Sequence, residues 1–119
     1  MNLPGKAKQK TFYFIGVTTA QSAIMKVFSK WATVLGLGDA IIKGIDLDIQ
    51  ADPEDYCAIV RFIKEDELSL GALVTTHKID LLKASRGIFD YLDPYAKAFN
   101  EISCISKKNG RLEGYAKDP

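Results

Sequence analysis

Short β-branched and aromatic runs alternate with helix-periodic segments along this chain of 119 residues. That alternation is the pattern of an α/β sheet. Thr11 to Val17 reads as a first strand. Ser22 is placed to cap a following helix, whose stripe is Ile24, Val27, Phe28, Trp31 and Leu35, and Gly36 and Gly38 stop it. Ala40 to Leu47 reads as a second strand. Asp52-Pro53-Glu54-Asp55 then starts a helix: a capping carboxylate, proline in the first turn, and acids at the positive end of the dipole. Tyr56, Ile59, Val60 and Ile63 give that helix its buried face.

Leu70 to Thr75 is the third strand, followed by a short helix after Lys78 that carries Ile79, Leu81 and Leu82. Asp93-Pro94 opens another brief helical turn. Ile102 to Lys107 and Arg111 to Tyr115 are two strands joined at Asn109-Gly110, where both residues tolerate the positive φ of a type I′ turn. The expected architecture is three α-β-α layers with a mixed, mainly parallel sheet and a C-terminal antiparallel hairpin. Residues 1–10 are expected to be a mobile basic tail, and residues 11–119 one domain.

Composition narrows the function classes. A hydrophobic fraction of 47% supplies one core without staples. A net charge of +1 provides no field for nucleic acid or an anionic membrane. No apolar run approaches the roughly 20 residues that span a bilayer. The polar start lacks the apolar core of a secretory signal. Cys57 and Cys104 have no metal-ligand spacing and read as two buried thiols of a cytoplasmic protein. The one histidine, His77, has no co-ligands at a metal spacing, so no metal is expected. His77 reads as a partly exposed loop residue; the alternative is that it shapes the pocket or tunes Lys78.

Ligands of open α/β sheets bind beyond the carboxyl ends of parallel strands. Two polar clusters belong there: Thr18, Thr19, Gln21 and Ser22 after the first strand, and Thr75, Thr76, His77 and Lys78 after the third. Their hydroxyls suit a polyol or a carboxylate. The bland alternative is that Ser22 and Thr75 only cap a helix or end a strand. A lysine beside a carboxylate can relay a proton to or from a substrate oxygen, and Asp118 is the candidate carboxylate for Lys78. The alternative for Lys78 is a solvated residue on a first helical turn. No glycine-rich dinucleotide fingerprint is present, so this chain is expected to hold neither NAD nor NADP by itself.

The order of segments is similar to the N-terminal, substrate-binding domain of shikimate and quinate dehydrogenases over roughly residues 11 to 118. That family carries Ser-x-Ser-Pro-x-Met-His after its first strand, and Gln21 to Lys26 looks like the second half, with Ser22 as the second serine. The first serine falls on Ala20, with Thr18 or Thr19 as substitutes. The family's Asn-Val-Thr-x-Pro-x-Lys appears as Leu73-Val74-Thr75-Thr76-His77-Lys78, one residue shorter and without asparagine or proline. Ser103 stands where Gly-Ala-Val-Asn-Thr has its asparagine. Gly-Arg-Leu-x-Gly-x-Asn-Thr-Asp is matched by Gly110-Arg111-Leu112-Glu113-Gly114-Tyr115-Ala116-Lys117-Asp118, with Ala116 and Lys117 replacing Asn-Thr.

The resemblance implies proton transfer by Lys78 and Asp118, and substrate contacts from Thr18, Thr19, Ser22, Thr75 and Ser103. It implies a small hydroxylated carboxylic acid as ligand. It also implies NADP or NAD as cofactor, bound by a C-terminal domain beyond this chain. Loss of two asparagines is expected to alter ligand choice more than reaction type. Two other readings stay open: a non-catalytic module that binds a small metabolite, and a structural domain that forms a homodimer through a sheet edge.

Overall fold

The computed structural model describes residues 3–34, 36 and 40–116. Met1, Leu35, Gly38, Lys117 and Asp118, and the side chains of Gln21 and Trp31, lie outside the described residues. The strands are β1 (Thr11–Gly16), β2 (Ile41–Asp46), β3 (Ser69–Val74), β4 (Tyr91–Leu92), β5 (Cys104–Lys108) and β6 (Arg111–Tyr115). The helices are α1 (Ala23–Val34), α2 (Pro53–Glu65), α3 (Lys78–Ser85) and α4 (Pro94–Phe99).

These strands form one sheet in the order β2-β1-β3-β5-β6-β4. Only β5 runs against its neighbours; β1 pairs parallel with β2 and β3, and β4 pairs parallel with β6. This is the mixed, mainly parallel sheet with a C-terminal hairpin that the sequence implied. Asn109 and Gly110 take φ values of 53° and 76°, as a type I′ turn requires.

Alternation along β1 separates the two faces of the sheet. Tyr13 and Ile15 point into the main core with Ile45, Ala72, Val74, Ile105 and Leu112, under α2 and α3. Phe12 points to the other face, where it stacks on Phe28 of α1 at 6.0 Å. Helices therefore lie on both faces of the sheet. Helix α2 buries Tyr56, Ile59, Val60 and Ile63, the residues its periodicity singled out. Each buried branched aliphatic side chain stabilises the fold by about 2 kcal/mol.

Several local expectations are corrected. Asp52 makes no side-chain capping bond, and α2 starts on Pro53 and its acidic first turn instead. Asp93 does cap, accepting from the Ala96 N–H at 2.8 Å. Strand β5 begins at Cys104, two residues after Ile102. Strand β4 was not anticipated, because two residues are too short to show alternation. Both cysteines are half-buried rather than buried. The Cys57 thiol donates to the Ala84 carbonyl at 2.9 Å. Ile79 of α3 is 56% exposed.

Contact with the neighbouring strand requires glycine at position 71. Between Thr11 and Phe12 the β1–β3 register slips, leaving Leu70 as the extra residue of a bulge. Gly71 follows at φ +139°, and a Cβ there would lie 2.1 Å from the Ile105 carbonyl oxygen. At the opposite end of the sheet from the candidate ligand edge, Asp66 accepts from the Ala7 N–H at 2.9 Å and the Leu68 N–H at 3.0 Å.

Candidate functional site

The strand registers gather the predicted polar segments on one edge. Gly16 pairs with Asp46, Ile15 with Val74, Leu73 with Cys104, and Cys104 with Tyr115. The carboxyl ends of β1, β2, β3 and β6 therefore align with the amino end of β5. Residues following β1, β3 and β6, and Ser103 before β5, all emerge along that line.

A cleft of about 280 Å³ opens there, lined by Phe14, Gly16, Thr18, Ser22, Thr75 and Thr76, with Thr19 behind. Thr18 is exposed, while Ser22 and Thr75 are half-buried. Gly16 forms the floor: a Cβ there would come within 3.0 Å of the Thr75 methyl and 3.2 Å of the Thr19 methyl. The Thr75 N–H donates to the Ile15 carbonyl at 2.9 Å, so the third strand's exit stays attached to the first. The cleft offers hydroxyls that both donate and accept, which suits a hydroxylated ligand.

Thr19 is in this cluster but is occupied. It is 5% exposed. Its hydroxyl donates to Asp46 Oδ1 at 2.7 Å and its N–H to the same oxygen at 2.9 Å. Those bonds hold the Asp46 carboxyl below the usual carboxylate range. Thr19 thus ties the β1 exit to β2, with both of its donors taken by Asp46.

His77 also departs from expectation. It is 1% exposed, not a partly exposed loop residue. Its Nδ1 lies 2.7 Å from the Tyr56 hydroxyl and its Nε2 3.1 Å from the Leu47 carbonyl oxygen. Just before it, Thr76 adopts φ +67°, and the His77 N–H closes the turn on the Thr75 carbonyl at 2.7 Å.

Lys78 is half-buried as the first residue of α3. Its carbonyl accepts from the Ile102 N–H at 3.0 Å. Ser103 is buried; its N–H donates to the Tyr115 carbonyl at 2.9 Å, and its carbonyl accepts from Val74 at 2.9 Å. The Ala116 N–H reaches Asp93 Oδ1 at 3.3 Å. The backbones of Lys78, Ser103 and Tyr115 thus adjoin through Ile102. Asp118, two residues beyond Ala116, is outside the described residues.

Sequence reasoning missed Phe14, Gly16 and Asp46 at this edge. Phe14 and Gly16 read as ordinary strand residues, and Asp46 lies 27 positions from Thr19.

No protein-family model matches the chain, and no curated protein does. Solved structures do. A shikimate dehydrogenase from Peptoclostridium difficile aligns at a TM-score of 0.71 with 20% identity, over 91% of this chain and 37% of that one. A shikimate 5-dehydrogenase from Listeria monocytogenes, in complex with shikimate and NAD, aligns at 0.71 with 18% identity, over 97% and 36%. A 5-ketofructose reductase from Gluconobacter aligns at 0.70 with 17% identity, over 91% and 36%. The chain spans a little over a third of the length of these structures. As the sequence resemblance implied, its fold is that of the portion of shikimate dehydrogenases to which it aligns.

Proposed function

We propose that this chain is the substrate-binding domain of a shikimate dehydrogenase-like, NAD(P)-dependent oxidoreductase acting on a small cyclic hydroxy acid. The observation that carries this reading is the cleft in which Thr18, Ser22 and Thr75 converge, on the edge that also bears Lys78 and Ser103. Thr18, Ser22, Thr75 and Ser103 orient the ligand's hydroxyls and carboxylate. In reduction, the Lys78 ammonium gives its proton to the substrate carbonyl oxygen, which becomes the hydroxyl. The Asp118 carboxylate holds the amine in line, and the neutral amine left behind regains its proton from water. A nicotinamide cofactor, when bound, supplies the hydride to the same carbon. On this reading its binding groups lie in the C-terminal domain that the sequence resemblance implies.

Leu73 and Ser103 replace two hydrogen-bonding asparagines, which favours a substrate other than shikimate itself. That the same fold serves a 5-ketofructose reductase supports this freedom of ligand. Calorimetric titration of the chain with shikimate, quinate and related cyclic hydroxy acids tests the ligand class. Binding that weakens about tenfold in Ser22→Ala or Thr75→Ala is expected. No heat from any of these acids, with the fold intact, rejects the class. In a form of the protein that turns over, Lys78→Ala should lower kcat by about 100-fold or more and change Kd only a few-fold. Near-normal turnover in that variant rejects the proton-transfer role.

A further inference from the structure

The single histidine of the chain does not line the cleft. His77 and Tyr56 are each 1% exposed. A carbonyl oxygen only accepts, so the Nε2 facing Leu47 carries the hydrogen. In the neutral ring, Nδ1 then accepts from the Tyr56 hydroxyl at 2.7 Å. Leu47, which follows β2, is therefore fastened to the phenol–imidazole pair.

The same imidazole faces a strained turn. Thr76 is β-branched and sits at φ +67°, a conformation such residues rarely adopt. Conformations of this kind persist where their surroundings over-determine them. The His77 N–H closes the turn on Thr75, and the His77 carbonyl accepts from the Leu81 N–H at 2.9 Å. Lys78 follows directly as the first residue of α3.

We propose that His77 is a positioning residue: anchored by Tyr56 and Leu47, it holds the Thr75–Lys78 turn in place and so sets how Thr75 and Lys78 meet the cleft. In its bearing on ligand this rests on the function proposed above; as a statement about the turn it does not. Simple packing of a buried ring predicts something different. Tyr56→Phe removes one oxygen, keeps the ring, and would leave the turn undisturbed if packing were all.

Amide hydrogen exchange on Tyr56→Phe tests this. The amides of Leu47, Thr75 and His77, each bonded to a carbonyl, are expected to exchange about tenfold faster. Those of Tyr13, Ile15 and Ala72 in the sheet should not change. Nitrogen spectra of the parent should show His77 as the Nε2–H tautomer, and that signal should move in the variant. Turn amides within about twofold of the parent, or equal acceleration across the sheet, overturn the proposal. If Tyr56→Phe does not fold, His77→Gln replaces it, because glutamine keeps a donor toward Leu47. Loosening of Thr75 and His77 position amides with Leu47 retained is then expected, and parental protection at all three overturns the proposal. Where the parent binds shikimate or quinate, Tyr56→Phe should weaken that binding about tenfold, and unchanged affinity overturns the cleft role. A parent that binds none of the cyclic hydroxy acids titrated above counts against the proposed function alone, and the exchange data still decide the positioning role.

Discussion

Thr19 and Asp46 are bound twice to each other, hydroxyl and amide both donating to the same carboxylate oxygen at 2.7 and 2.9 Å. The contact passes over Gly44, where a Cβ would lie 2.0 Å from the Thr19 hydroxyl oxygen. It joins the exit of β1 to the end of β2 and forms the back of the cleft. Thr19→Ala should therefore act on stability, by about 1 kcal/mol, and lower Tm by roughly 4 °C. Thermal unfolding checks this. Ser22→Ala, which lines the cleft, should leave Tm nearly unchanged and act on ligand affinity instead.

The same pair gives a pH dependence with a definite sign. Asp46 titrates below its ordinary value of 3.8, because the Thr19 hydroxyl and amide bond the charged form. Its contribution is complete above about pH 4 and disappears as pH falls through the lower folded value. Carboxyl-carbon titration by NMR should place Asp46 below the range of exposed aspartates. Thr19→Val should return it toward that range.

Asp66 should behave in the same direction at the other end of the sheet. Burial pushes its carboxyl up, but the Ala7 and Leu68 N–H groups, with Lys107 and Lys6, outweigh that and hold it down. Stability from Asp66 is present above its ordinary value of 3.8 and lost as pH falls through the lower folded one. Asp66→Asn should destabilise the protein at neutral pH and flatten its acid-unfolding curve. Unchanged acid unfolding would exclude this role for the carboxylate.

Gly71→Ala tests the bulge. At φ +139°, with the Ile105 carbonyl 2.1 Å from the added Cβ, alanine must displace β5 from β3. A loss of about 3 kcal/mol or more and a fall in Tm of about 10 °C or more are expected. The hairpin β5–β6 should lose exchange protection before α2 does.

Tyr115 gives a spectroscopic check of the last strand. Its hydroxyl donates to Glu113 at 2.6 Å, and that bond to a carboxylate, with burial and nearby charge, pushes its pKa up to about 12. NMR titration of the ring should show ionisation near that value, and Glu113→Gln should bring it back toward 10.0.

Elements whose signals are local were legible from the chain. The buried face of α2, the Asn109-Gly110 turn and the helix start at Asp93-Pro94 each depend on residues within a few positions of one another. The edge carrying Thr18, Ser22, Thr75, Lys78 and Ser103 followed from strand order. The identity of its supports did not. His77 meets Tyr56 across 21 positions and Leu47 across 30, and nothing near it in sequence signals burial. Strand β4 exists because Glu113 and Gly114 pair with it, not because two residues prefer extension.

Sequence alone therefore determined the class of fold, the succession of strands and helices, and the segments that reach the ligand edge, since periodicity, turn chemistry and strand direction are local properties. Tertiary structure alone decided which of those polar groups face the cleft and which are consumed in holding it. Thr19 is turned to Asp46 and His77 to Tyr56 and Leu47. A hydrogen bond between distant segments is set by how the sheet brings them together, and no local pattern encodes that meeting.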